Sequence, residues 1–181
     1  MESKKQNNKI KKLNLGSGED IKEGFVNLDI AKLKGIDIVH NLDKYPWPLK
    51  DNEFDFVYCD NVLEHLSEIP KPMEELWRIT KNSGKIKIIV PIFPSVWAMS
   101  DPTHKSFYTY MTFDYFTNYH ELKYYSKARF KIIKRKIIFH PYLRLIEKIV
   151  NINELTKKSY TIFLSFLIPA MFLHVDLETE K

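Results

Sequence analysis

Short apolar runs separated by polar turns fill the first sixty residues. Leu13 and Leu15 lead from Lys11 into the glycine turn Gly16-Ser17-Gly18. Phe25-Val26-Asn27-Leu28 ends at Asp29, and residues 36–39 run into a turn-rich stretch from Asn41 to Pro48. Residues 54–59 are aromatic and β-branched, with Asp51-Asn52 before them and Asp60-Asn61 after, which reads as a buried strand. Four strand-like runs at this spacing leave little room for helices between them. The period then changes. Met73, Leu76 and Trp77 repeat at i, i+3 and i+4, with Pro72 near the first turn and Gly84 past the end, so a helix is predicted there. Residues 85–90 (KIKIIV) are a further strand stopped by Pro91. Strand, helix and strand in this order imply a parallel pair joined by a right-handed crossover.

Residues 91–120 carry no long periodic run but many rings, among them Phe93, Trp97, Phe107, Tyr108, Phe113 and Tyr119. A long irregular segment inside a domain usually serves function, so it is read as a substrate-side loop or lid. Thr112 is placed to cap a short helix over residues 113–117. Residues 130–139 alternate weakly as a strand, and Leu143, Ile146, Ile149 and Val150 form one helical stripe. Residues 162–175 are the most apolar part of the chain, broken by Pro169. They are too short for a membrane span of about 20 residues. A helix ending near Pro169 and a last strand over 172–177 is the preferred reading; peripheral membrane contact through 160–175 is the lesser alternative.

Composition narrows the class. One domain over residues 1–181 is expected, with 1–9 as a disordered tail, and 44% hydrophobic residues suffice for a core. Lys+Arg exceed Asp+Glu by 28 to 23, giving +5, but only four of the 28 are arginine. Bidentate grip on phosphate is chiefly an arginine property, so the clusters Lys4, Lys5, Lys9, Lys11, Lys12 and Lys131, Lys134, Arg135, Lys136 read as solvated surface, and nucleic acid is not the expected partner. The single cysteine, Cys59, excludes an intrachain disulfide and any zinc site built from cysteine pairs. The polar start has no apolar run of the kind a secretory signal needs, so a cytoplasmic, reducing setting is expected.

The candidate chemistry lies at strand ends. A strand running through Leu15 into Gly16-Ser17-Gly18 lets main chain approach a bound molecule, because no Cβ intervenes. By itself that signal is weak; a tight turn without a ligand fits as well. Asp29 closes the second strand, where a carboxylate can accept both hydroxyls of a ribose. Asn41 and Leu42 follow the third and offer an amide side chain and a main-chain N–H suited to adenine, although Asn41 also reads as a plain turn former.

Two longer segments carry a resemblance. Residues 54–66 (FDFVYCDNVLEHL) and residues 73–85 (MEELWRITKNSGK), in register with the glycine turn, resemble the class I S-adenosylmethionine-dependent methyltransferases, most closely the type 11 group. The likeness covers about half the chain in register, residues 11–90, and continues more loosely to the end. It implies an α/β, Rossmann-like, doubly wound, mostly parallel sheet of seven strands with an antiparallel last strand. It also implies an enzyme that binds S-adenosyl-L-methionine and methylates a small-molecule acceptor. On this reading Leu15, Gly16, Ser17 and Gly18 lie under the methionine part, Asp29 holds the ribose, Asn41 and Leu42 the adenine, and the carbonyl of Cys59 the amino group.

The departures are specific. Asn14 stands where the family usually has an acid, Asp20 replaces the third glycine, and Asn41 occupies a position that is commonly acidic. Asp29 lies only 11 residues after Gly18, so the first crossover helix is expected to be shortened or missing. The methyl donor is already activated, so the protein mainly has to place the acceptor in line. A base is needed only if the acceptor's nucleophile carries a proton. His104, in the segment Asp101-Pro102-Thr103-His104-Lys105, is the first choice and His65 the second, each weighed against an ordinary structural role. No metal is expected from the His and acid spacings. Two rivals remain: a non-catalytic cofactor-binding scaffold of the same fold and a dinucleotide-dependent oxidoreductase. The second is weakened by Ile21 at the sixth position of the glycine motif.

Overall fold

A computed structural model describes residues 10–181. The expected tail at 1–9, with Lys4, Lys5 and Lys9, lies outside the described residues. The strands are β1 (Lys12–Leu15), β2 (Val26–Asp29), β3 (Ile38–Val39), β4 (Phe54–Asp60), β5 (Thr80–Pro91), β6 (Phe130–Ile138) and β7 (Phe172–Thr179). They form one sheet in the order β3-β2-β1-β4-β5-β7-β6. Pairing is parallel from β3 across to β5, and β7 runs antiparallel between β5 and β6. The mixed α/β sheet with its antiparallel last strand is therefore the implied architecture. Leu13, Leu15, Leu28, Val57, Ile86 and Ile88 are fully buried, as expected for strands of a parallel sheet covered on both faces.

The first crossover has no helix among residues 16–25. Side-chain amides hold it instead. Asn14 Nδ2 donates to Asp20 O (2.7 Å) and to Asn27 Oδ1 (3.0 Å). Asn27 Oδ1 also accepts from Lys22 N (3.0 Å), and Asp37 Oδ2 accepts from Asn27 N (2.7 Å). An acid at position 14 has no proton for these two acceptors at neutral pH, so Asn14 suits a crossover reduced to turns.

Helix α1 (Pro70–Ile79) buries Met73 and Leu76 of the predicted stripe together with Ile79, while Trp77 is half-buried. It ends where Thr80 turns extended, and β5 begins there, earlier than residue 85. Gly84 lies where the pairing with β4 shifts register, between Thr80 and Lys85, and a Cβ there would stand 2.6 Å from Thr80 Cγ2 and 2.8 Å from Lys81 O. Residues 91–120 contain α2 (Val96–Met99) and a 3-10 turn, Thr112–Phe116. Thr112 is not the cap of that turn. Met111 occupies the capping position, and the Thr112 hydroxyl accepts from Thr109 N (2.9 Å), which closes the preceding loop. Tyr108, Tyr110, Phe113 and Phe116 are buried, so much of the aromatic stretch is core.

Helices α3 (Arg144–Val150) and α4 (Glu154–Phe163) follow β6. A capping box between Asn153 and Thr156 starts α4. The helix ends before residue 164 rather than near Pro169, and turns fill the interval. The basic run on β6 does not act as one face. Arg135 is buried, pairs with Asp114 (2.7 Å) and Glu154 (3.1 Å), and lies 4.1 Å from the Tyr110 ring centre. Lys136 pairs with Glu147 (2.6 Å), while Lys131 and Lys134 stay exposed.

Candidate active site

The carboxyl ends of β1 and β2 and the turn after β3 open into a cavity of about 440 Å³. Gly16, Asp29, Asn41 and Leu42 line it together with Asn61 and His65. Gly16 has φ +63°, and a Cβ there would stand 2.4 Å from Val62 Cγ2, so both conformation and space require glycine. The Asp29 carboxylate is held from both sides: Gly18 N donates to Oδ2 (2.8 Å) and Ala31 N to Oδ1 (2.8 Å). Each oxygen keeps a further acceptor site, which is what a diol needs. Asn41 Oδ1 accepts from Asp43 N (2.9 Å), so the turn-forming role of this residue is present. Four of the eight residues predicted for the cofactor thus meet at one cavity, with the predicted His65 beside them. Leu15, Ser17, Gly18 and Cys59 do not line it; Leu15 and Cys59 are fully buried and Ser17 nearly so. Burial, reinforced by the charges of Glu64 and Asp60, pushes the Cys59 thiol well up, which makes it inert as a nucleophile.

A second cavity of about 640 Å³ adjoins the first and shares Asn61 and His65 with it. Its walls include Glu64, Trp97, Asp101 and His104. Asn61 follows β4 in the left-handed region (φ 51°), which turns the chain so that Val62 packs on Gly16 and residues 63–65 form a 3-10 turn at the cavity rim. That turn is clamped to a distant segment. Lys105 N and Ser106 N both donate to Glu64 O (2.7 and 3.1 Å), and the buried Tyr108 hydroxyl donates to Leu63 O (3.2 Å). The clamp brings the rings of His65 and His104 to 4.8 Å between centres, at 68°.

The hydrogen bonds set both tautomers. His104 Nδ1 lies 2.9 Å from Ala98 O, a carbonyl that can only accept, so Nδ1 carries the proton and Nε2 a lone pair. The Thr103 hydroxyl donates to Asp101 Oδ1 (2.6 Å) and therefore accepts from His65 Nδ1 (2.9 Å), which leaves His65 Nε2 with a lone pair as well. Beside them, the Glu64 side chain is buried and neither oxygen has a hydrogen-bond partner among the described residues. Burial pushes its carboxyl up to about 7, and the charges of Asp60 and Asp101 add to the shift. Burial, and then the neighbouring His104, lowers His65. Both predicted histidines are thus brought together at the second cavity. Glu64, Asn61 and the Asp101–Thr103 support stand beside predicted residues in the chain, but only the burial of Glu64, the left-handed backbone of Asn61 and the hydrogen bonds of Asp101 and Thr103 mark them out.

Known proteins share part of this sequence and most of this fold. Residues 15–88 match the type 11 model described as a methyltransferase domain. The matched span carries the glycine turn, Asp29, Asn41 and the Glu64-His65 pair. Over this span the chain is similar to the methyltransferase-domain family, and its sheet has the fold of S-adenosylmethionine-dependent methyltransferases. A segment of 43 residues is 51% identical to an uncharacterized protein of Methanocaldococcus jannaschii; it covers 24% of this chain, and the match spans only 19% of that protein. Among solved structures, a SAM-dependent methyltransferase from Archaeoglobus fulgidus superposes with a TM-score of 0.62 at 17% identity, covering 93% of this chain and 86% of that one. An S-adenosylmethionine-dependent methyltransferase from Mesorhizobium loti gives 0.54 at 14% identity, covering 93% and 90%. The [4+2]-cyclase SpnF gives 0.57 at 12% identity, covering 94% and 75%. At these identities the likeness is one of fold, and the cyclase shows that the methyltransferase fold also hosts other chemistry. The dinucleotide alternative is not favoured, because a pyrophosphate site needs a helix N-terminus after the glycine turn and residues 16–25 form turns.

Proposed function

We propose that the protein transfers the methyl group of S-adenosyl-L-methionine, held in the first cavity, to a small or medium-sized acceptor held in the second. The observation that supports this best is the shared wall: two cavities meeting at Asn61 and His65 would let a sulfonium in one abut a nucleophile in the other, the placement an in-line displacement needs. In this reading Asp29 accepts the ribose hydroxyls, Asn41 and Leu42 hold the adenine, and the turn of Leu15, Gly16, Ser17 and Gly18 with the Cys59 carbonyl holds the methionine end. His104 Nε2 takes the acceptor's proton where there is one, and His65 stands beside it. Residues 91–120 form the acceptor-side wall and lid of the single domain.

Calorimetric binding of S-adenosylhomocysteine tests the first cavity. Asp29→Ala should weaken it at least about tenfold, the scale of losing a charged hydrogen bond; unchanged affinity refutes the ribose assignment. Release of S-adenosylhomocysteine over a panel of small acceptors tests transfer. Binding without release from any acceptor would favour the scaffold alternative.

No helix among the described residues is long and apolar enough to cross a membrane. The peripheral contact expected over 160–175 narrows in our reading to the exposed Ile162, Phe163, Phe166 and Leu167, since Leu173 and Val175 are core. Exposed Leu145, Ile149 and Leu155 extend the apolar face, and exposed Arg144, Lys148 and Lys158 favour an anionic lipid surface as its occupant. Co-sedimentation with vesicles containing phosphatidylserine, weakened by Phe166→Glu, is the expected result; equal sedimentation of the variant would remove the proposal. A cytoplasmic setting is part of the same reading, supported by the single buried thiol.

A further inference from the structure

Glu64, His65 and His104 form a group that hydrogen bonding among themselves does not satisfy. Both imidazoles spend their Nδ1 protons on fixed acceptors, Ala98 O and the Thr103 hydroxyl, which leaves two Nε2 lone pairs. The third member is a buried carboxylate with both oxygens unpartnered among the described residues. Three potential electron-pair donors with no hydrogen bond among them are complementary to a cation. The ligand atoms of the three side chains lie within 4.8 Å of one another. We propose that Glu64, His65 and His104 bind a divalent transition-metal ion, with Zn²⁺ the best-matched, at the wall of the second cavity.

The donor set has the right chemistry. Two imidazoles and one carboxylate, with a fourth position open, is a recurrent catalytic zinc arrangement. A tetrahedral ion with bonds of about 2.0–2.1 Å sets its ligands about 3.3 Å apart, so these donors need to draw in by about 1.5 Å at most, within the reach of side-chain rotation. The supporting bonds are also those of a metal site. An imidazole that ligates through one nitrogen usually donates from the other to a carbonyl or a carboxylate-backed group, which fixes its orientation. His104 does this to Ala98 O, and His65 through Thr103 to Asp101. Asp101 Oδ2 lies 3.8 Å from His104 Nε2, facing the same space.

The open position faces the cavity we assign to the acceptor, so a role in catalysis rests on the methyl-transfer reading, whereas ion binding does not. In that role the acceptor's heteroatom coordinates the ion and releases its proton to water. It then attacks the methyl carbon, the carbon–sulfur bond breaks, and the electron pair stays on the sulfur of S-adenosylhomocysteine. The methylated heteroatom, a weaker ligand, leaves the ion. His104 would then act as a ligand and not as the base.

The full chain, stripped with a chelator, should be titrated with Co²⁺ and followed by its visible absorption, with Zn²⁺ stoichiometry measured after dialysis. We expect one ion per chain, bound about tenfold or more weakly in Glu64→Gln and His104→Ala. S-adenosylhomocysteine binding, measured in parallel at the other cavity, reports whether the variants fold. Should either variant misfold, Thr103→Val, which removes only the His65 support, decides by the same weakening. No stoichiometric ion in the wild-type chain, or equal affinity in folded variants, overturns the site and leaves His104 as the base. Ion binding without S-adenosylhomocysteine binding would retain the site and overturn the methyl-transfer reading instead.

Discussion

The two cavities that meet at Asn61 are built differently. The first cavity, which we propose for the cofactor, comes from consecutive strand ends within residues 16–43, and short bonds from main chain to side chain such as Gly18 N to Asp29 Oδ2 fix it. The second, which we propose for the acceptor, joins residues 61–65 to 97–104, segments some forty positions apart, through the clamp of Lys105 and Ser106 on the Glu64 carbonyl. The first therefore depends on local turn chemistry, and the second on tertiary contacts that hold unsatisfied polar side chains in place. Perturbing one side should leave the other readable, which makes the contrast testable.

The largest expected effect is on the acceptor side. Under the methyl-transfer reading, His104→Ala should lower turnover by about 10²–10⁴-fold, the range for losing a positioned proton acceptor, while S-adenosylhomocysteine affinity stays near wild type. A loss of cofactor affinity instead would place His104 on the wrong side of the divide. Gly16→Ala should act in the opposite sense. Left-handed strain alone costs about 1–3 kcal/mol, and the contact with Val62 adds to it, so lower thermal stability and weaker S-adenosylhomocysteine binding are both expected. A variant with wild-type melting temperature would show that the Val62 contact relaxes freely.

Asn14→Asp restores the acid common in the family and so tests the crossover itself. It sets a carboxylate against Asp20 O and Asn27 Oδ1. Asn27 cannot easily turn its amide, because it both accepts from Lys22 N and donates to Lys22 O. Urea denaturation should show a loss of about 1–3 kcal/mol, the cost of unpaired buried polar groups; no loss would mean the turns at 16–25 do not rely on this amide.

The smallest effect concerns neither cavity. Partial burial opposes ionisation of Glu154, but hydrogen bonds from Lys157 and Tyr110 and the charge of Arg135 hold it at about 2, below its ordinary value of 4.5. A carboxyl lowered on folding contributes stability that is present above its unfolded value and lost as pH falls from there toward the folded one. Because the Glu154 side chain is 57% exposed, the contribution is modest. The stability advantage of wild type over Glu154→Gln should shrink on acidification below about pH 4.5. A gap that does not change with pH would show that the Arg135 cluster does not depend on that charge.

Much of the fold could be read from pattern. The strand near Phe54, the stripe of Met73 and Leu76 and the loss of the first helix all appear as spacing, because a buried strand or helix face demands apolar side chains at fixed intervals. Errors fell where packing outside the segment decides. Thr112 has a capping residue's chemistry, yet the Thr109 amide claims its hydroxyl. Arg135 sits in a basic run, yet Asp114 and Glu154 draw it inside. The meeting of Gly16, Asp29, Asn41 and Leu42, the residues we propose for the cofactor, was legible because strand ends place them by chain order.

The meeting of Glu64 and His65 with His104 was not legible in that way. No spacing rule links positions 65 and 104, and the sequence pattern argued against a metal site. Chain order suffices where hydrogen bonds close over a few residues, since local geometry then leaves little freedom. Where two remote segments must be clamped before a buried carboxylate and two lone pairs converge, the outcome depends on which long-range contacts win, and only the folded chain reveals that.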